Sequence, residues 1–556
     1  MKGQQEINHK WSSKFGFLMA AVGSAVGLGN IWRFPYVVSE HGGALFLIVY
    51  LFIVVILGFM VMSAEFAIGR YSSRSVLDSF KRGKKNWSFI GLISMSICFF
   101  IVSYYSVIGG WITKYMFGYM GGGGFVSGGN YGGVFGGFVT SGMAPAGFNF
   151  IFLFCSVLVL AFGVKKGIEK VSKVLMPGLF CMLLIVAIVS LTMDGAWEGV
   201  KFFLVPDPVK IQESGGVLGI INAAMGQAFF SLSVGIGINC TYGSYLARNT
   251  NIPKDSITIC GFDTLVAIVA GFAILPAIFA AGADPGTGGA GLIFKTLPEV
   301  FTELGVRTMP WFGTVMGFIF FLLVWVAALT SCISLLEVLI SALEQKLHVK
   351  RLWSTLIVGG VVLVMSTLVS YSQNPEFGIG IDLLDIFDRA TVNYLMPVAA
   401  IAMCMFVVFV WGGNNASREL TNQRDLNHKW YVKTWKAFVM WICPLLIACV
   451  FVMGLIDNDW THADGSINAN AFIALGLGVV ALILAVVIGV IYSKKTKDEP
   501  FIPAAVADAM ADVVLEEIDE MEETGESIYN DMTKLVDTIA SNDIIDINGS
   551  DEDNKD

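Results

Sequence analysis

Apolar residues run in blocks of about twenty along this chain, separated by short polar segments, and the blocks recur twelve times. About twenty apolar residues in a helix cross the roughly 30 Å of hydrocarbon in a bilayer. The pattern therefore predicts spans near 14–38, 42–69, 88–118, 148–164, 172–193, 218–246, 257–282, 309–344, 353–371, 383–411, 435–456 and 470–493. The first block is too long and too interrupted for a cleaved signal peptide, and no small-residue cleavage site follows it.

Composition agrees with a membrane solvent. The 556 residues are 55% hydrophobic and 14% charged, with a mean hydropathy of +0.71, whereas soluble domains carry about 25% charged residues. Arg70, Arg74, Lys81, Arg82, Lys84 and Lys85 fill the loop after span two. Lys165, Lys166, Lys170 and Lys173 follow span four, Lys346, Lys350 and Arg351 follow span eight, and Arg418, Arg424, Lys429 and Lys433 follow span ten. Segments 119–147, 372–381 and 457–469 hold no Lys or Arg. The positive-inside rule then puts both termini in the cytoplasm of a multi-pass protein of the cell membrane.

From Asp498 to Asp556 there are 19 acidic residues against two lysines, so this tail carries −17 of the formal −9 and leaves +8 on the rest. Its composition reads as a solvated acidic segment, with Val506, Met510, Val514, Ile518 and Met521 at helical spacing as a possible short amphipathic helix. The Gly-rich stretch GGGGFVSGGNYGGVFGGF reads as flexible surface, not as a phosphate cradle. Nine cysteines all fall within spans without CxxC spacing and read as small packing residues. The five histidines sit at span ends or in loops, and no His/Cys metal cluster or Ser/His/Asp arrangement occurs, which argues against an enzyme.

Two spans break the apolar pattern. AVGSAVGLGNIWRFPY (21–36) places Gly23, Gly27, Gly29, Asn30, Arg33 and Pro35 inside span one. A glycine costs a helix interior about 1 kcal/mol relative to alanine, and an arginine near mid-membrane costs roughly 2.5–3.5 kcal/mol. Span six contains FFSLSVGIGINCTYGSYL (229–246), again with serines and glycines at depth. Small residues can serve close helix packing. Paired interruptions at corresponding places in two five-span halves instead indicate broken helices, whose freed N–H and C=O groups bind an anionic group and cations. Such backbone is tolerated at depth only where it lines a site.

AVGLGNIWRFPY, with EFAIGRY (65–71), FFSLSVGIG (229–237) and AALTSCISLLE (327–337), resembles the neurotransmitter:sodium symporter family, in its prokaryotic, amino-acid-transporting branch. The resemblance covers roughly residues 9–495 and leaves out the acidic tail. It implies an all-α polytopic membrane protein with twelve transmembrane helices, built as two five-helix inverted repeats with helices 1 and 6 unwound at mid-membrane. The expected segmentation is a cytoplasmic N-terminus (1–13), a first repeat (14–193), an extracellular loop (194–217), a second repeat (218–411), helices 11 and 12 (412–493) and the cytoplasmic tail (494–556).

By the same resemblance, a first sodium site would use the Ala25 carbonyl, Asn30, Ser231 and Asp263, and a second the carbonyls of Gly23, Val26 and Ala327 with Thr330 and Ser331. All offer oxygen, which a hard cation prefers. The substrate carboxylate would meet the Leu28 and Gly29 N–H groups and the Tyr105 hydroxyl. Its ammonium would meet carbonyls of Ala25, Phe230 and Ser231 and the Ser233 hydroxyl. Ile101, Phe230, Ile236 and Leu335 would wall the side-chain pocket, with Ser331 at its edge. Monoamine carriers of the family have aspartate where this chain has Gly27, so an amino acid with an apolar or aromatic side chain is the expected substrate. Arg33 would pair with Asp385 as an outer gate, Glu65 would cap the freed N–H groups of the broken helices, and Gly167-x9-Pro177 resembles the family's signature for local unwinding.

Two departures stand out. Asn8 replaces the arginine used before the N-terminal tryptophan, and Gln345 replaces its acidic receiver, so the inner gate is open to question. Ala267 replaces the serine of chloride-dependent animal members while Asp263 supplies a fixed charge, so transport is expected not to need chloride. The reading is sodium-coupled uptake by alternating access, with one or two ions, in a monomer or weak dimer that binds no nucleic acid. Proton coupling or exchange on the same fold, and a receptor signalling through the tail, are the alternatives.

Overall fold

The computed structural model describes residues 10–82, 85–126, 128–283, 290–377, 380–422, 429–456, 460–461 and 467–495. These all belong to one compact unit, residues 1–501, while 502–556 form a second unit that lies outside the described residues, as does the amphipathic stretch 506–521.

Among the described residues ten helices are long and apolar enough to cross a bilayer, and an eleventh span is the bent pair Lys14–Ala25 and Gly29–Glu40. Span six completes twelve as two shorter pieces, Gly216–Ser231 and Ile238–Gly243. The others are Ala44–Ser72, Phe89–Met120, Met143–Ala161, Val164–Leu191, Ile252–Ala281, Pro310–Leu347, Arg351–Ser372, Leu383–Leu420, Tyr431–Ile456 and Ala469–Lys494. The largest boundary differences from the sequence expectation are at spans five and ten. Span five begins at Val164 because its first turn is wound as a π-helix (Val164–Glu169), and span ten runs on to Leu420 through a second such stretch.

The sequence pattern is carried out in the packing. Spans three and eight, the most buried helices, run against each other through the centre. Spans eleven and twelve lie at the periphery with long apolar faces such as Ile483, Val486 and Val490 exposed. In a bilayer those faces meet lipid, and helical winding lets a span satisfy its backbone polar groups internally.

The Gly-rich stretch does not follow expectation. Tyr131–Val139 form a helix capped by the Asn130 side chain, and Phe135 stacks on Phe294 at 4.8 Å with an edge of Trp111 beside it. Four aromatic side chains interspersed among the glycines, Phe125, Tyr131, Phe135 and Phe138, supply the anchor that a glycine count hides. The loop after span two carries a four-residue antiparallel hairpin, Lys81–Arg82 with Lys85–Asn86.

Candidate functional site

Span one leaves helical geometry at Val26 (φ −73°, ψ 102°), resumes by Gly29, and bends by 50° between its two halves. The break is held by side chains. Asn30 Oδ1 accepts from the Gly27 N–H at 3.1 Å, Tyr105 OH accepts from the Leu28 N–H at 3.5 Å, and Gln227 donates to the Gly29 carbonyl at 2.9 Å. A Cβ on Gly27 would lie 2.6 Å from Ser331 Oγ and 3.2 Å from the Tyr105 hydroxyl, so any side chain there would press on both.

Span six is interrupted for longer. Ser233, Gly235 and Gly237 all take positive φ (52°, 82° and 88°), and a conformation that costs L-residues roughly 1–2 kcal/mol explains the two glycines. Glu65, fully buried, accepts from the Gly235 N–H at 2.7 Å and from Asn239 Nδ2 at 2.8 Å. Its carboxylate thus braces the break of span six alone; the span-one break, expected to share it, uses Asn30, Tyr105 and Gln227.

Asn30, Ser231 and Asp263 converge at full burial. Asn30 Nδ2 lies 2.8 Å from the Asp263 carboxylate, 3.1 Å from its carbonyl and 3.0 Å from Ser231 Oγ, and Ser231 Oγ lies 2.8 and 3.0 Å from the two carboxylate oxygens. The cluster gathers one negative charge and several oxygens, and among the described residues no cationic side chain is bonded to it. A second group joins spans one and eight. Ser331 Oγ approaches the carbonyls of Ser24 (3.3 Å) and Gly23 (3.5 Å), and Thr330 Oγ1 donates back to those of Val326 and Ala327 (3.1 Å each). Val26, whose carbonyl was expected here, is the residue at which the helix ladder ends.

Between the breaks lies a narrow cavity of about 40 Å³. Ala25, Leu28, Gly29, Ile101, Tyr105, Phe230, Ser231, Ser233, Ile236, Ser331 and Leu335 all line it, together with Gly27 and two residues that motif reading passed over, Ser24 and Ile238. One half of the wall is exposed backbone and hydroxyls, and the other is aliphatic with the Phe230 ring.

Above Phe230 sits Arg33, 5.4 Å from the ring centroid, donating to the Gly226 carbonyl at 3.1 Å. Its expected acidic partner is corrected by the geometry. Asp385 is taken by Arg389 on the next turn at 2.8 Å, an i,i+4 pair. The carboxylate whose charge bears on Arg33 is Asp388, which accepts from the Tyr104 hydroxyl at 2.8 Å. Asp385 and Asp388 are three residues apart, and sequence spacing alone does not tell which points inward.

At the basic-loop end, Trp11 donates from Nε1 to the Tyr242 carbonyl and from its backbone to the Tyr245 carbonyl, both at 3.2 Å. Glu169 clamps the adjoining residues: Ser12 N–H (2.8 Å), Ser12 Oγ (2.5 Å), Ser13 Oγ (3.0 Å) and Lys173 Nζ (2.6 Å). Gln345 accepts from the Ser75 N–H at 2.5 Å, and Glu344 joins Arg351 at 3.3 Å. Helix Lys170–Leu191 runs unbroken through Pro177, so the Gly167–Pro177 segment is wound here.

The profile of the Sodium:neurotransmitter symporter family matches residues 8–122 and 137–497, which include both breaks and both oxygen clusters. The chain belongs to this family. Among its relatives, the uncharacterized sodium-dependent transporter YhdH of Bacillus subtilis is 35% identical over 80% of this chain and 97% of its own length. An uncharacterized sodium-dependent transporter of Haemophilus influenzae is 32% identical over 80% of this chain and 98% of its own. The crystal structure of MhsT in complex with L-phenylalanine superposes with a TM-score of 0.72 at 36% identity, covering 80% of this chain and 99% of that one. As a member of the family, the chain is a multi-pass sodium-coupled transporter and not an enzyme. The family match stops at residue 497, where the acidic tail begins.

Proposed function

We propose that this transporter takes up amino acids with apolar or aromatic side chains, by alternating access, with sodium entering alongside. The observation that carries the reading is the composition of the single cavity between the breaks: backbone and hydroxyls on one wall, Ile101, Phe230, Ile236 and Leu335 on the other. The Leu28 and Gly29 N–H groups, with the Tyr105 hydroxyl, would take the carboxylate, since helix N-terminal amides favour anions. Carbonyls of Ala25, Phe230 and Ser231 and the Ser233 hydroxyl would take the ammonium. Gly27 removes any fixed charge from that position, so the substrate brings its own carboxylate. The L-phenylalanine bound in MhsT, at 36% identity, supports the same class.

Sodium would occupy the Ala25, Asn30, Ser231 and Asp263 cluster, and a second ion the carbonyls of Gly23, Val26 and Ala327 with Thr330 and Ser331. An ion at the first cluster offsets the Asp263 charge and stands beside the bound carboxylate, so ion and substrate each raise the other's affinity. Arg33, Phe230 and Asp388 would close the outer side. The Trp11–Tyr242 contact and the Glu169 clamp would close the inner side, in place of the arginine–acid pair that Asn8 and Gln345 do not provide. Loop charges orient both termini to the cytoplasm.

The test is uptake of radiolabelled hydrophobic amino acids into vesicles, with an inward sodium gradient or with choline in its place. Uptake should require sodium; equal uptake in choline would overturn the mechanism. A thermal-shift screen against the twenty amino acids, with and without sodium, should pick out the substrate as the one whose stabilisation depends on sodium.

A further inference from the structure

At the basic-loop end, away from the substrate cavity, spans three, eight and nine leave a lateral groove of about 380 Å³. Its floor is buried and apolar (Leu77, Leu339, Val362), and its rim is apolar and open, with Leu347, Ile357 and Val361 about half exposed or more. One charged residue lines it, Lys346, at the end where span eight stops. Lys346 is exposed, sits 4.1 Å over the Tyr492 ring, and donates one hydrogen bond to the Tyr492 hydroxyl, which in turn donates to Asp78 at 2.6 Å. An ammonium has three donors, so Lys346 keeps capacity for a further anion despite that contact. Lys350, also exposed, lies on the turn just beyond.

We propose that this groove binds one acyl chain of an anionic phospholipid from the adjacent leaflet, with its phosphate held at Lys346. The chemistry selects the occupant. The rim is apolar and lies between helices long and apolar enough to cross a bilayer, so lipid is its natural neighbour. An extended peptide would carry backbone N–H and C=O groups into hydrocarbon without partners, and a helix from the acidic segment that follows span twelve would bring costly carboxylates with it. An acyl chain has none, and its charged end falls at Lys346, the only lining cation among the described residues. Basic residues beside a membrane attract anionic lipid by about 1 kcal/mol each, which corresponds to about five-fold in occupancy.

The experiment uses the full chain in phosphatidylcholine vesicles, doped with phosphatidylglycerol or phosphatidylcholine that carries a diazirine on one acyl chain, followed by peptide mapping of the label. Label from phosphatidylglycerol should concentrate on Met95, Phe99, Leu343 and Val361 over the exposed face of span twelve. Lys346→Ala should lower it about five-fold and leave the weaker phosphatidylcholine labelling as it was. Val361→Trp, a change at an exposed rim position that any folded variant tolerates, should lower both. Even labelling around the protein, equal labelling by the two lipids in the unaltered chain, or labelling that appears only after residues 496–556 are deleted would each overturn the proposal.

Discussion

In span one the chain is out of helical geometry for little more than Val26 and Gly27, and neutral groups from three other positions hold the opening. In span six it stays out from Leu232 to Gly237, and one buried carboxylate, Glu65, holds it. The neutral groups of the first break face the cavity and the Asp263 cluster, where a hydrogen bond to Asn30 or Tyr105 can be exchanged for an ion or a carboxylate. Glu65 makes its bonds to Gly235 and Asn239, and neither lines the cavity. On the proposed mechanism, the first break would be re-bonded during transport and the second kept. A buried acid serves opposite ends in the two places: Asp263 has no backbone N–H to satisfy, while Glu65 has one to satisfy and a side-chain amide besides.

The sharpest way to break this contrast is to remove each acid. Asp263→Ala should abolish sodium-driven uptake and the sodium-dependent part of the thermal shift, while the protein still purifies folded. Glu65→Ala should act on the fold instead. It orphans two buried donors at about 1–3 kcal/mol each, so a loss of roughly 2–6 kcal/mol is expected, read as a fall in unfolding midpoint, with Glu65→Gln milder because one acceptor remains. Exchanged phenotypes, with Asp263→Ala unfolded and Glu65→Ala stable but insensitive to sodium, would overturn the division of labour.

A smaller effect separates the two acids of span ten. Asp388→Asn should slow uptake by about ten-fold, the loss that ~1.4 kcal/mol of gate closure implies, because the Asp388 charge bears on Arg33 and its carboxylate bonds Tyr104. Asp385→Asn should remain within about two-fold, since its partner Arg389 is a solvent-side i,i+4 neighbour worth a few tenths of a kcal/mol. Equal losses would mean that the gate uses both. Two glycines sharpen the comparison further. Gly237→Ala should cost about 1–2 kcal/mol of stability through its positive φ, aggravated by Val76 at 2.8 Å. Gly27→Ala carries no such strain and should instead weaken substrate binding, because its methyl enters the space between Ser331 and Tyr105. Calorimetric binding beside a melting curve tells the two apart.

What could be read from residues alone followed physical redundancy. Twelve spans were legible because each repeats one signal about twenty times, and the cavity lining was legible because the broken-helix motifs carry it in contiguous runs such as FFSLSVGIG. Ser24 and Ile238 escaped because they flank those runs. The Asp385 expectation failed at a different level. Asp385 and Asp388, one turn apart in DLLDIFDR with Asp382 a turn before them, are equivalent to pattern, and only the rotation of the helix about its axis sets Arg389 beside Asp385 and Tyr104 beside Asp388. The π-helical stretches at 164–169 and 406–412 are likewise invisible to hydropathy, since they alter winding without altering which residues are apolar.

The smallest expected effect is no effect at all, and it bears on Asp263. In this chain Ala267, fully buried, has no hydroxyl to donate to an anion, and one turn away Asp263 already places a carboxylate against Asn30 and Ser231. A mobile anion there would have to enter beside a fixed negative charge in a water-poor site, where like-charge repulsion is strong. Replacing chloride by gluconate should thus leave sodium-driven uptake unchanged within error. If uptake fell with chloride removed, the Asp263 carboxylate would not be the resident counter-charge of the first ion, and its contrast with Glu65 would have to be redrawn around a second, exchangeable anion.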